Sequence, residues 1–122
     1  MNIIAEKNVK IDNITIYLTL VKLYRGYVLF ISDQVNFGLG SITLSTPPLN
    51  DVLKSTSVAY QLFGMEHNLL SKMIVEKAAN YLKEPVILFF FLKEREKEKE
   101  LIKPIITLLN QILEEYKREK KN

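Results

Sequence analysis

The residue pattern predicts an α+β fold: a six-stranded, mainly antiparallel sheet with two helices on one face, in the order β-β-β-β-β-α-β-α. Three observations predict it. Through the first half, apolar and polar residues alternate with a period of two, as a pleated strand requires. After Gly64 the apolar spacing changes to three and four, the period of an amphipathic helix. Val86–Leu92 is apolar at every position, which fits a strand held centrally in a layered sheet.

The elements follow in order. Ile3–Ile11 pairs back through a turn at Asp12-Asn13, residue types that tolerate tight bends. In the second strand Ile14, Ile16, Leu18 and Leu20 alternate with Thr15, Tyr17, Thr19 and Val21. Arg25-Gly26 marks a reversal into the strand Tyr27–Ser32, and the loop Asp33–Gly38 leads to Leu39–Thr46. Pro47-Pro48 ends that strand, because proline brings no amide hydrogen to the ladder. A single helical turn around Asp51–Lys54 and a fifth strand at Ser57–Phe63 come next. The first helix runs from about Glu66 to Lys83 on a stripe through Leu70, Met73, Ile74, Lys77, Ala78, Tyr81 and Leu82, and Pro85 stops it. The last helix aligns Ile102, Ile105, Ile106, Leu109, Ile112, Leu113 and Tyr116, with Pro104 near its first turn or at a kink. The tail Lys117–Asn122 is polar and expected to fray.

Length and composition bound the function. A chain of 122 residues fits a single domain, 1–122, since two halves would each be too small to bury a core. The charge is +3, from 17 basic and 14 acidic side chains, and the three arginines, Arg25, Arg95 and Arg118, are scattered. Nucleic-acid binders gather such residues on one face, so no nucleic acid is expected as partner. The longest apolar run, Pro85–Leu92, falls far short of the roughly 20 residues a membrane helix needs, so no membrane partner is expected. Residues 1–10 carry Glu6, Lys7 and Lys10 and lack the apolar core of a signal peptide; with no cysteine in the chain, a soluble, cytoplasmic protein is expected. Abundant Lys, Glu and Ile match a thermophile composition.

Candidate chemistry is sparse, and no enzyme, metal or cofactor is expected. His67 is the sole histidine, and without cysteine a zinc site would have to be completed by carboxylates; beside Glu66 and Asn68 it reads as solvated surface. Ser32, Asp33 and His67 make a triad on paper only, with no G-x-S-x-G elbow. Gly38-Leu39-Gly40-Ser41 leads into a strand, whereas a phosphate loop delivers the chain into a helix, so these glycines read as a bulge or corner. The alternating run Glu94–Glu100 reads as a solvated connection or a helix start, with docking on an opposing charged surface as the other use.

What remains is apolar content on both faces of several strands. Val28 and Phe30 oppose Tyr27, Leu29 and Ile31; Tyr17 and Val21 oppose the Ile/Leu row; Val58, Tyr60 and Leu62 oppose Ala59 and Phe63. Six strands at ~4.8 Å span roughly 28 Å, and two helices of ~10 Å diameter cover most of one side only. The other side either meets a partner, as in a dimer, or is buried because the sheet curls on itself. Under the first reading Tyr17, Val21, Tyr27, Val28, Phe30 and Tyr60 are the candidate partner contacts. An aromatic platform of Tyr17, Tyr27 and Phe30 for single-stranded nucleic acid is an alternative, but an RNA-recognition fold runs β-α-β-β-α-β and this chain opens on a meander.

Tyr27–Ser32 followed by Phe37–Leu44 resembles the third and fourth strands of the eukaryotic proteasome assembly chaperones three and four. Ser55–Gly64 is similar to the family's next strand with its leucine-x-glycine ending, followed by the turn Met65–Asn68, the helix Leu69–Leu82, the strand Pro85–Leu92 and a closing helix. The resemblance covers residues 12 to 115, and the run Glu94–Glu100 is longer and more charged than the family's. It implies a six-stranded antiparallel sheet paired with a like subunit through the sheets. It also implies a chaperone that docks on α-subunits of the proteasome core particle and helps the α-ring form. An archaeal-like version would pair with itself or with a paralogous subunit. The alternative is a generic sheet-based protein-interaction adaptor.

Overall fold

The computed structural model describes residues 2–36, 40–47, 58–64, 69–93 and 98–121, and within these not the side chains of residues 58–64, 69, 120 and 121. Two antiparallel units start the fold. β1 (Asn2–Ile11), β2 (Ile14–Lys22) and β3 (Tyr27–Ser32) form a meander, and β4 (Ser41–Thr46) pairs with β5 (Val58–Gly64). α1 (Leu69–Leu82), β6 (Val86–Phe91) and α2 (Glu98–Lys121) complete it. The α+β class read from the sequence holds.

The sheet runs β1-β2-β3-β6-β4-β5, so β6 enters between the two units. It lies parallel to β3 and antiparallel to β4, which makes the sheet mixed. The mainly antiparallel sheet expected from the sequence is thus corrected to a mixed one, with β6 separating β3 from β4. A parallel pair needs a long crossover, and the stretch from β4 through α1 supplies it between β3 and β6.

The turns have local causes. Asp12 takes φ 56° at the β1–β2 turn, and Gly26 takes φ 100° at the end of the β2–β3 turn. Lys83, at φ 60°, ends α1 in a left-handed residue whose amide donates to the Ala79 carbonyl at 2.9 Å, ahead of Pro85. Gly40 serves a close approach: a Cβ there would lie 2.3 Å from the Phe90 carbonyl oxygen, so only glycine lets the start of β4 meet β6. The turn expected at 51–54 lies outside the described residues.

Both helices lie over one face. Ile16, Leu18 and Leu20 of β2, Tyr27, Leu29 and Ile31 of β3, and Val86, Leu88 and Phe90 of β6 are buried there. They pack against Leu70, Ile74, Val75, Ala78 and Ala79 of α1, and Leu101, Ile105, Leu108, Leu109, Ile112 and Leu113 of α2. Each fully buried aliphatic side chain contributes about 1.5–3 kcal/mol. Met73, placed on the α1 stripe by spacing, is instead exposed, because Val75 and Ala79 carry that contact. Pro104 sits inside α2 rather than at its start, and the polar tail expected to fray continues the helix through Lys121. There the Lys117 ammonium lies 5.1 Å from the Tyr81 ring centroid, and Lys7 pairs with Glu115 at 2.6 Å, joining β1 to α2.

Candidate functional site

The candidate site is the face of the sheet opposite the helices. Strand register sets its rows. Thr19, Phe30, Phe89 and Ile42 align across β2, β3, β6 and β4, and Val21, Val28, Ile87 and Leu44 form the next row. Tyr17, Ser32 and Phe91 extend it toward one end. Phe30 and Phe89 stack with centroids 5.1 Å apart and planes at 13°. Apart from Val21 and Ser32, which are buried, these residues keep partial solvent exposure, where their neighbours on the helix face are sealed.

β4 inverts the usual assignment. Ser41, Thr43 and Ser45 point under the helices and are buried, while Ile42 and Leu44 point to the open face. Ser41 and Ser71 approach through their Oγ atoms at 3.3 Å. Among the described residues the hydroxyls of Thr43 and Ser45 find no hydrogen-bond partner. A buried hydroxyl left so costs about 1–3 kcal/mol.

Of the six contacts read from the sequence, Tyr17, Val21, Val28 and Phe30 lie on this face. Tyr27 does not, and this is a correction. It is 1% exposed on the helix side, its hydroxyl 3.0 Å from that of Tyr116 and the two rings edge to face at 5.8 Å. Burial, reinforced by the hydrogen bond to Tyr116, pushes the Tyr27 phenol well above its ordinary pKa. Odd positions of β3 face the helices, so Tyr27 follows Leu29 and Ile31 inward. Tyr60 pairs with Leu44 in the ladder, but its side chain lies outside those described. Sequence reasoning missed Ile42, Leu44, Ile87, Phe89 and Phe91. The signal was present in β6, where every residue is apolar and every second one must face away from the helices.

The chemical candidates resolve differently. Ser32 accepts from the Gln34 amide at 3.0 Å, and Asp33 Oδ1 accepts from the Lys93 amide at 2.9 Å, so both organise the loops that follow β3 and β6. His67, residues 37–39 and residues 94–97 lie outside the described residues. Glu98 and Glu100 stand in the first turn of α2, where they complement the helix dipole. Among the described residues no cluster of three His, Asp or Glu could hold a metal ion, and no helix is long and apolar enough to cross a membrane. A groove of about 490 Å³ runs between β1 and α2, walled by Lys7, Val9, Lys103, Pro104, Leu108 and Gln111, and among the described residues neither histidine nor carboxylate lines it.

No family model matches the chain, and no curated protein matches it. Among solved structures the fold is similar to a chain from the crystal structure of a novel chaperone complex for yeast 20S proteasome assembly. The TM-score is 0.66, over 94% of this chain and 94% of that one, with 11% of residues identical.

Proposed function

We propose that this protein is a non-enzymatic proteasome assembly chaperone that forms a dimer through the open face of its sheet and binds α-subunits of the core particle to promote α-ring assembly. The observation that carries the dimer is the inversion of β4: Ile42 and Leu44 join Val28, Phe30, Ile87 and Phe89 on a face that neither helix covers. The chaperone role rests on the fold likeness to a chain of a yeast assembly complex over 94% of both chains, together with the type three and four resemblance of the strand sequences. The second subunit is another copy or a paralogue, in a cytoplasmic and archaeal-like setting.

The test joins two measurements. Light scattering on the purified chain is expected to give twice the mass of one 14.2 kDa protomer. Adding it to separately purified α-subunits is expected to raise the yield of α-rings on native gels. A monomer that neither binds α-subunits nor changes ring yield would sink the reading. Steep salt-dependent binding of single-stranded RNA in its place would favour the nucleic-acid platform.

A further inference from the structure

We propose that the tip of the β2–β3 hairpin, Tyr24-Arg25, is a preformed anchor for a protein surface offering an apolar slot rimmed by carboxylates. The inference rests on the chaperone reading, under which that surface belongs to an α-subunit.

The tip is small and prominent. The β2–β3 ladder ends at Lys22 and Tyr27, and the Leu23 amide donates to the Gly26 carbonyl at 3.0 Å, which leaves Tyr24 and Arg25 beyond the last pair. Tyr24 is 92% exposed, and the Arg25 guanidinium lies 5.8 Å from its ring centroid. Gly26 takes the left-handed position, so the turn asks nothing of a tyrosine or an arginine, and short hairpin loops favour small polar residues instead.

The base of the tip is clamped. Glu84 accepts from the Gly26 amide at 2.8 Å and from the Lys22 ammonium at 2.9 and 3.0 Å. The Tyr27 amide donates to the Pro85 carbonyl at 2.9 Å, and the Lys22 ammonium lies 4.4 Å from the Tyr27 centroid. A Cβ on Gly26 would meet the Pro85 oxygen at 2.8 Å, so the hairpin is seated tightly on the entrance to β6. A base already ordered spares the cost of ordering the hairpin backbone on binding, and Tyr and Arg are residue types enriched at interface hot spots.

Charge selects the partner. Glu84 pairs with Lys22, and among the described residues Arg25 at the tip and Lys83 beside Glu84 in the chain are exposed cations. Two cations suit a carboxylate rim; they neutralise too few phosphates for firm hold on nucleic acid. The tip lies at the end of β2 and β3, so pairing through the open face leaves it accessible.

The experiment uses the full chain with Tyr24→Ala and, separately, Arg25→Glu, titrated against purified α-subunits by surface plasmon resonance. Each variant is expected to bind about tenfold more weakly or worse, with melting temperature and mass by light scattering unchanged. Wild-type affinity in both variants would overturn the anchor and leave the chaperone reading intact. A wild-type chain that ignores α-subunits would remove both. Single-stranded RNA bound by the wild type and lost in Tyr24→Ala would overturn the anchor in favour of base stacking.

Discussion

β3 and β4 flank the same central strand, are equally long, and treat their two faces in opposite ways. β3 sends Tyr27, Leu29 and Ile31 beneath the helices and leaves Val28 and Phe30 outside. β4 sends Ser41, Thr43 and Ser45 beneath α1 and leaves Ile42 and Leu44 outside. On the β3 side, the protomer's own core supplies the stabilisation. On the β4 side, small polar residues fill the covered face, and Ile42 and Leu44 keep partial exposure on the other. The two neighbours of β6 thus differ in what they bury beneath the helices, apolar side chains in β3 and hydroxyls in β4.

That contrast can be tested by substitution. Leu29→Ala opens a cavity in the helix-covered core and is expected to cost about 2–5 kcal/mol in urea unfolding of the chain. A loss below about 1 kcal/mol would mean that β3 does not anchor the core. Leu44→Lys should leave unfolding of the separated protomer nearly unchanged while weakening self-association by on the order of 2 kcal/mol, read as a shift to monomer mass on dilution. Equal dimer stability in wild type and variant would move the interface away from β4. The smallest effect is a gain. Thr43→Val replaces a buried hydroxyl lacking a partner with a methyl of similar size, and about 1 kcal/mol of added stability is expected. A loss there would reveal a bound water or a backbone acceptor serving Thr43.

Periodicity made the class legible, because the change from two to three-and-four spacing at Gly64 reports local geometry directly. It also made β6 recognisable as central, since Val86–Phe91 offers no polar face. Neighbour order was not legible. Alternation says which residues share a side, not which strand lies next, and the pairing of Phe30 with Phe89 is set by contacts far apart in the chain. The sign of alternation was equally hidden. Residue type alone would put Ile42 inward; the register that sets Thr43 against Leu88 and Ile42 against Phe89 turns it outward. Tyr27 misled for the converse reason: a phenol suggests surface, but Tyr116 supplies a partner for its hydroxyl inside.

The position of β6 also governs the order in which the molecule can be built. Before Val86–Phe91 is available, the chain can close only two separate ribbons, β1-β2-β3 and β4-β5, which share no ladder of hydrogen bonds. The late strand is the keystone between them, and each ribbon meanwhile shows an open margin to other chains. Joining depends on pairing residues of β3 with residues nearly sixty positions downstream, such as Tyr27 with Val86. Such distant closure is intrinsically slow, so the joining of the two ribbons waits on one six-residue strand, the last of the six in chain order.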